Sequence, residues 1–277
     1  FKLHRRFDRM GRLLGNTAME RLGRAHVVVV GLGGVGSWAA ESLVRSGIGR
    51  ITLIDYDVVC ITNANRQLQA VRGTVGKPKA NVLAERLRGI NPLATIKAVP
   101  LFYEARLADK LLEGADYVVD AIDNLTAKAH LVATCKARGI PVVVSTGAAA
   151  RVDPTQIRVI DLARTRVDKL ASILRKVLRQ EYGFPRTGDF GISAIYSEEP
   201  LQKPFELVYD KGGGFSCVCP PSPQVDIDAC NNQHVIWGTA SFVTGAFGLA
   251  CASVVVRAIA QGPAAEPASA EDPPASR

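Results

Sequence analysis

The stretch that decides the fold is VVVVGLGGVGSWAAESLVRSGIGRITLIDYDVVCITNANR, residues 27–66. It opens on four valines, and a run this short and this rich in β-branched residues predicts a buried parallel strand. After a glycine turn, residues 37–45 carry alanine, leucine and valine side chains that can share one apolar face of a helix. Residues 51–54 form a second predicted strand, which ends at Asp55. The stretch therefore predicts a β-α-β unit with a glycine turn after its first strand.

The glycine turn predicts a nucleotide-binding site. Its glycines let the backbone approach a phosphate chain, and the N-terminus of the helix supplies free N–H groups and a partial positive charge. Asp55 lies 19 residues past Gly36, where an acidic residue can accept hydrogen bonds from a ribose. The expected nucleotide contacts are Gly31, Gly33, Gly34, Gly36 and Asp55. For this unit alone, NAD or FAD is the first ligand to consider.

Charged residues further along the chain favour a triphosphate. Arg66 and Lys79 suit a triphosphate better than a pyrophosphate that a helix terminus already holds. Asp123 follows another apolar strand, and Mg²⁺ binds few protein oxygens and keeps its waters, so a carboxylate at a strand end suits it. Two alternatives stay open: Asp123 could cap the helix that begins near residue 125, and Lys79 could lie on a solvated helix face.

These motifs together resemble the E1-like adenylating enzymes, the ubiquitin-activating superfamily that includes the bacterial activators of sulfur-carrier proteins. The resemblance implies that the glycine turn holds ATP, that Asp55 binds the ribose and that Asp123 binds Mg²⁺. It also implies that the asparagine, the arginine and the phosphate-binding lysine of the superfamily correspond to Asn63, Arg66 and Lys79. The short matches fall in the order that the superfamily shows, which makes the set specific.

The N-terminal segment carries a further match. Residues 6–9 read RFDR, which resembles the R-x-x-R motif that reaches into the ATP site of a partner subunit in the superfamily. The resemblance, which covers roughly residues 6–160 and 233–258, thus implies a homodimer in which Arg9 completes the partner's site. The implied catalytic residues are Arg9, Arg66, Lys79 and Asp123.

A narrower resemblance concerns residues 147–182. Gly147-Ala148, the DPTQI segment at 153–157, the DLA segment at 161–163 and a helix at 168–182 are similar to the branch that dehydrates threonylcarbamoyladenosine in tRNA. That branch activates the carboxylate of the modified adenosine with ATP and closes it into a cyclic form. Two alternatives stay open: adenylation of the C-terminus of a sulfur-carrier protein, and a non-catalytic NAD-binding Rossmann protein. The resemblance also implies a cysteine desulfurase and a sulfur-acceptor protein as partners.

The charge of the chain agrees with a polyanionic partner. Its formal net charge is +8, and phosphate contacts dominate the affinity of proteins for nucleic acids. Six cations cluster in and before the helix at 168–182, which makes them candidate tRNA-binding residues. They are Arg164, Arg166, Lys169, Arg175, Lys176 and Arg179. The alternative is a solvated helix face.

The six cysteines and the lack of a secretory signal predict a reducing, cytoplasmic setting. Soft metal ligands occur late in the chain, but their spacing lacks the paired CxxC motifs of zinc sites. These ligands are Cys217, Cys219, Cys230 and His234. Cys230 is also a candidate thiol nucleophile, although the dehydratase reaction needs no protein thiol, and an incidental thiol is the third interpretation.

Strands that alternate with helices predict an α/β fold: a doubly wound, mostly parallel Rossmann-like sheet with a smaller loop-rich, basic subdomain. We expect an ATP-binding domain with an N-terminal arm at 1–160, a subdomain facing the substrate and tRNA at 161–232, an apolar helix at 233–261 and a disordered tail at 262–277. Residues 235–256 carry no ionisable side chain and are long enough to span a bilayer, so membrane association stays open beside a buried helix.

Overall fold

One sheet organises the part of the chain that the computed structural model describes, residues 3–207 and 236–262. Its strands are β1 (His26–Val30), β2 (Arg50–Ile54), β3 (Thr95–Val99), β4 (Tyr117–Asp120), β5 (Val142–Ser145), β6 (Ile157–Asp161) and β7 (Ser193–Ser197). The helices are α1 (Asp8–Leu14), α2 (Asn16–Arg24), α3 (Gly36–Arg45), α4 (Lys79–Ile90), α5 (Ala108–Leu111), α6 (Leu125–Ala137), α7 (Lys169–Glu181) and α8 (Ser241–Gln261).

The strands lie in the order β3-β2-β1-β4-β5-β7-β6. β6 runs antiparallel to β7, whereas the other neighbouring strands pair in parallel. The predicted doubly wound, mostly parallel sheet is therefore confirmed. We call the side where β1, β2, β4 and β5 end the carboxyl edge, since ligands of open α/β sheets bind outside the carboxyl ends of the strands.

The central β-α-β unit forms as its apolar pattern predicts. The four valines of β1 are buried and point alternately to the two faces of the sheet. Helix α3 turns Ala39, Ala40 and Leu43 into the core, because residues three and four positions apart share one side of a helix. α2, α3, α4 and α8 cover one face of the sheet, and α5, α6 and α7 cover the other. Two apolar layers thus hold the sheet, and the loops at its carboxyl edge are left accessible.

Helix α8 lies against α3. A Cβ at Gly248 would lie 2.4 Å from the carbonyl oxygen of Val35, and one at Gly245 would lie 3.3 Å from the Trp38 ring. α8 is long and apolar enough to cross a membrane by length and composition, but 56% of its apolar window is buried inside the protein. This packing agrees with the buried-helix interpretation of residues 235–256.

Two strands lie where the sequence pattern did not indicate any. β6 is an edge strand whose five residues are all at least partly exposed, and β7 joins it to β5. We expected the ATP-binding domain to end near residue 161 and the subdomain facing the substrate to begin there. However, β6 before this residue and β7 after it belong to the same sheet. The functional division of the chain at that residue stays a prediction.

Candidate active site

The glycine turn lies at the carboxyl edge, between β1 and α3. Gly31 has a φ of +86°, and a Cβ there would lie 2.5 Å from the carbonyl oxygen of Ala121. A Cβ at Gly36 would lie 1.8 Å from the carbonyl oxygen of Gly31. The close packing of the turn therefore requires these two glycines. At Gly33 the nearest atom would be 3.9 Å away, so its backbone lies open to the approach of a phosphate.

Asp55 joins the end of β2 to the glycine turn. Its Oδ2 accepts a hydrogen bond from the Leu32 backbone N–H at 2.6 Å, and its Oδ1 accepts one from the Asp57 N–H at 2.8 Å. Burial raises the pKa of Asp55, and the nearby charge of Lys79 opposes that rise. An ionised carboxylate has about four acceptor sites, so Asp55 can accept further hydrogen bonds, as a ribose would require.

Lys79 places a buried ammonium among carboxylates at the start of α4. Its side chain is 7% exposed, and its Nζ donates to Oδ2 of Asp57 at 2.8 Å. Burial alone would lower the pKa of Lys79, but the charges of Asp55, Asp57 and Asp123 outweigh it and raise that pKa. The interpretation of Lys79 as a solvated lysine is therefore wrong. Asp57, which we did not name as a site residue, was detectable as a second carboxylate just past β2.

Arg66 brings a second cation towards the glycine turn. Its Nη1 donates to the Thr62 carbonyl at 3.0 Å and to Oδ1 of Asn65 at 2.9 Å, and both of these partners are neutral. Burial lowers the pKa of Arg66. A Cβ on Gly34 would lie 3.1 Å from the side chains of both Arg66 and Thr244, which leaves room for glycine and little else.

Hydrogen bonds to Cys60 and Trp38 fix the loop that carries Asn63 and Arg66. The side-chain oxygen of Asn63 accepts a hydrogen bond from the Cys60 N–H at 3.0 Å and closes the short 3-10 helix Ile61–Asn63. Trp38 on α3 donates its indole N–H to the Arg66 carbonyl at 3.0 Å. These bonds fix the loop beside the turn and leave the Asn63 amide nitrogen available to a ligand.

Asp123 follows β4 and has an exposed side chain. Asn124, rather than Asp123, caps α6, since its side chain accepts a hydrogen bond from the Ala127 N–H at 3.0 Å. The capping interpretation of Asp123 is therefore wrong. Within residues 3–207 and 236–262, no three His, Cys, Asp or Glu side chains converge as a metal cluster. A single carboxylate beside a phosphate-binding turn still fits Mg²⁺, which takes one or two carboxylates, phosphate oxygens and waters.

A buried ion pair supports the loop that carries Asp123. Lys128 Nζ lies 2.9 Å from Asp120 Oδ2, with both side chains 0% exposed, and it donates to the Ile122 carbonyl at 2.9 Å. Burial raises the pKa of Asp120, and the charge of Lys128 opposes that rise. Lys128 was not among the predicted site residues, although a lysine within an apolar helical stretch is a detectable signal.

The N-terminal arm that carries Arg9 contacts the end of α4 that is far from Lys79. Arg6, three residues before Arg9, donates through Nη1 to the carbonyl of Ile90 at 2.9 Å. Ile90 is the last residue of α4 and Lys79 is the first, so about 16 Å of helix separates the two. Arg9 is exposed.

The six cations predicted to bind tRNA have different surroundings in the structure. Arg164 pairs with Asp189 through two bonds of 2.6 and 2.7 Å. An open groove of about 730 Å³ is lined by Ser172, Arg175, Lys176, Arg179, Gln180 and Arg186. Arg186 was not among the candidates, because the loop that carries it has no periodic pattern. Arg166 and Lys169 are exposed outside this lining.

Some predicted sites lie outside the described residues. The zinc and thiol hypotheses concern Cys217, Cys219, Cys230 and His234, which belong to the segment 208–235. The predicted tail, apart from Gly262, falls on residues 263–277.

Comparison with known proteins relates this geometry to a family. The sequence profile of the ThiF family matches residues 7–272. The chain is 42% identical over 253 residues to the tRNA threonylcarbamoyladenosine dehydratase of Escherichia coli, covering 90% of this chain and 91% of that relative. It is 47% identical over 199 residues to the enzyme of the same name from Haemophilus influenzae, covering 71% of this chain and 76% of that relative.

A solved structure gives the same result for the fold. The crystal structure of the E. coli tRNA N6-threonylcarbamoyladenosine dehydratase in complex with ATP matches with a TM-score of 0.78 and 40% sequence identity. The match covers 92% of this chain and 93% of that one.

Proposed function

This chain belongs to the ThiF family, and from that membership we propose that it is an ATP-dependent dehydratase acting on tRNA. It adenylates the carboxylate of N6-threonylcarbamoyladenosine and closes the modified group into a ring, releasing AMP and pyrophosphate. The observation that carries the proposal is the similarity to dehydratases over nearly the full length of the chain.

The arrangement at the carboxyl edge supports ATP as the nucleotide. The open backbone at Gly33 and the start of α3 suit a phosphate chain, because free N–H groups point out of a helix N-terminus. Asp55 and Asn63 suit the ribose, since one can still accept and the other can still donate hydrogen bonds. Arg66 and Lys79 supply two positive charges for the phosphates.

In the first step, an oxygen of the substrate carboxylate attacks the α-phosphorus of ATP, and the bond to pyrophosphate breaks. Negative charge develops on the phosphate oxygens, where Arg66 and Lys79 oppose it. The carboxylates around Lys79 keep its ammonium protonated by raising its pKa. Lys79 therefore enters the reaction as a fixed charge that needs no reorganisation.

We assign Mg²⁺ to Asp123, whose exposed carboxylate lies close enough to Lys79 for its charge to help raise the pKa of that lysine. A bound Mg²⁺ would supply positive charge to offset that of the phosphates and of the leaving pyrophosphate. Lys128 and Asp120 hold the loop from beneath, so Asp123 keeps its position at the edge.

In the second step, a nucleophilic atom of the same modified group attacks the acyl carbon, the ring closes and AMP leaves. Because both reacting groups belong to one nucleoside, the step is intramolecular and depends mainly on positioning. The protein's part is to hold the nucleoside beside the nucleotide at the carboxyl edge. No protein thiol is needed in this scheme.

We propose that the active form is a homodimer in which Arg9 serves the partner's site. The contact of Arg6 with the last residue of α4 supports this assignment, because it places the arm that carries Arg9 about 16 Å of helix away from Lys79 of the same chain. Isologous dimers are the commonest protein oligomers. We propose that the protein acts in the cytoplasm. A cysteine desulfurase and a sulfur-acceptor protein remain its predicted partners.

Mass spectrometry of tRNA nucleosides tests the proposal. After incubation of tRNA that carries threonylcarbamoyladenosine with the protein, ATP and Mg²⁺, we expect a nucleoside one water lighter and an equal amount of AMP. Reactions without ATP, or with NAD in its place, should leave the nucleoside unchanged. An unchanged nucleoside together with AMP formation on a sulfur-carrier protein would replace this function with the alternative adenylation.

A further inference from the structure

The groove on the outer side of α7 gathers positive charge that no acidic lining residue offsets. Its cations are Arg175, Lys176, Arg179 and Arg186. Among the described residues, none of these four takes part in an ion pair. Arg175 donates to the Thr165 hydroxyl and Arg179 to the Pro185 carbonyl, and both partners are neutral. Like charges held together repel, so a bound anion would stabilise this arrangement.

The second wall of the groove is anchored to the sheet. The carboxylate of Asp161, at the end of β6, accepts backbone N–H bonds of 2.7 to 3.1 Å from residues 190–192. The Arg179 guanidinium lies 5.1 Å from the centre of the Phe190 ring. These contacts fix the loop between α7 and β7, so Arg186 faces α7 from an anchored segment rather than from a loose one.

The groove lies away from the nucleotide. α7 begins at the carboxyl edge, where Asp168 accepts a hydrogen bond from the Gly147 N–H at 3.1 Å, and it runs towards the opposite edge. Arg175 and Arg179 follow Asp168 by 7 and 11 residues, about 10 to 16 Å along the helix. The glycine turn follows β1, which lies two strands away from β5, so the groove suits another part of a larger substrate.

We infer that this groove binds the phosphodiester backbone of the RNA substrate and that Arg186 is one of its phosphate contacts. The inference rests on the proposed function, since it assigns the groove to the tRNA. Arginine can donate two hydrogen bonds to one phosphate, and lysine adds a point charge. Arg164 is excluded from this set, because Asp189 already neutralises it.

Salt titrations of tRNA binding test the inference on the full-length protein. We expect Arg186→Gln to weaken tRNA binding and to reduce the slope of log affinity against log salt by about one, with ATP binding unchanged. Lys97→Gln removes the same charge on β3, at the far end of the sheet, and should leave the slope as in the wild type. The double variant Arg164→Gln/Asp189→Asn, which removes a neutralised pair, should do the same.

Equal affinity and equal slope for Arg186→Gln and the wild type would overturn the inference. A loss of slope in the Arg164→Gln/Asp189→Asn variant that matches the loss in Arg186→Gln would also overturn it, because the charge would then act without regard to the groove. Cyclisation of the nucleoside is measured separately on the wild type. A failure of the groove is therefore distinguishable from a failure of the proposed function.

Discussion

At the scale of single residues, the ammonium of Lys79 is where the charges of the site meet. Asp57 contacts it, and Asp55 and Asp123 act on it through space. These carboxylates follow two different strands, so the sheet itself brings them together at the carboxyl edge. The arrangement keeps a cation charged in a buried place, where burial by itself would favour the neutral amine.

Substitutions at the neighbouring residues Asp123 and Asn124 should affect different properties, namely catalysis and stability. We expect Asp123→Ala to lower the rate of AMP formation by about 100-fold or more while the protein stays folded, because charge stabilisation at a transition state is worth that much. Asn124→Ala should instead cost about 1 kcal/mol of unfolding free energy through the lost cap of α6, with AMP formation retained. Rates and denaturant unfolding of both variants check this contrast. Near-normal turnover in Asp123→Ala would refute the magnesium assignment.

The buried pair beneath the loop predicts a different pattern. Lys128→Met should lower the free energy of unfolding by about 3 to 5 kcal/mol, because it leaves the Asp120 carboxylate buried and uncompensated. Adding Asp120→Asn removes that charge and should recover most of the loss. Urea unfolding of the wild type, both single variants and the double variant measures the coupling. Additive losses would mean that the two charges do not act as a pair.

At the scale of elements, α8 supports the glycine turn from behind. Gly248 lies against the carbonyl of Val35, the residue that precedes α3, and Thr244 lies beside Gly34. A helix 200 residues away in sequence therefore sets the shape of the turn. Its apolar composition serves close packing, which requires glycines at the contacts.

Two helical glycines offer a matched test of that packing. Gly248→Ala should destabilise the protein by about 1 to 3 kcal/mol and weaken ATP binding, since its Cβ would overlap the Val35 carbonyl. Gly89→Ala, in α4 with no atom within 4 Å of the new Cβ, should stabilise by up to about 1 kcal/mol and leave ATP binding unchanged. Thermal unfolding and calorimetry with ATP distinguish the two. Equal effects of both substitutions would contradict close packing at Gly248.

Local signals explain what could be predicted from the sequence. The run of valines, the glycine turn and the helical period at 37–45 lie within one short stretch, so the central unit was predictable. β6 and β7 were not, because β6 is a partly exposed edge strand without clear alternation. Arg186 lies in a loop without a periodic pattern, and its place in the groove beside α7 depends on how the chain folds back after that helix. Motif order identified Arg66 and Lys79, but the charge balance around Lys79 required the fold.

At the scale of the whole molecule, two groups of residues that we assign to the same reaction lie far apart in one chain. The candidate nucleotide-binding residues lie at the carboxyl edge, whereas the N-terminal arm that carries Arg9 contacts the far end of α4 through Arg6. In the proposed dimer, each site is complete only when the second chain presents its N-terminal arm. The proposed dimer is therefore part of the catalytic unit.

Mixed dimers test this arrangement. Arg9→Ala and Asp123→Ala proteins should each be inactive, but after subunit exchange one site in every mixed dimer has both residues intact. With random exchange, about a quarter of the wild-type rate should return. Co-expression with two different affinity tags isolates the mixed species. An inactive, verified mixed dimer would place Arg9 in its own chain's site, whereas an active Arg9→Ala protein would place it outside catalysis.

The course of α7 has a consequence for substrate size. Its N-cap residue Asp168 contacts the loop after β5, and Arg175, the first cation of the basic groove, lies about 10 Å further along the helix. If the groove binds the RNA backbone at one point while the nucleoside reacts at another, an efficient substrate must be long enough to reach both points. The free nucleoside, although it contains every reacting atom, should then be a poor substrate, and stem-loops should gain efficiency abruptly at the length that spans both points. The shortest efficient RNA would thus report the distance that the fold sets.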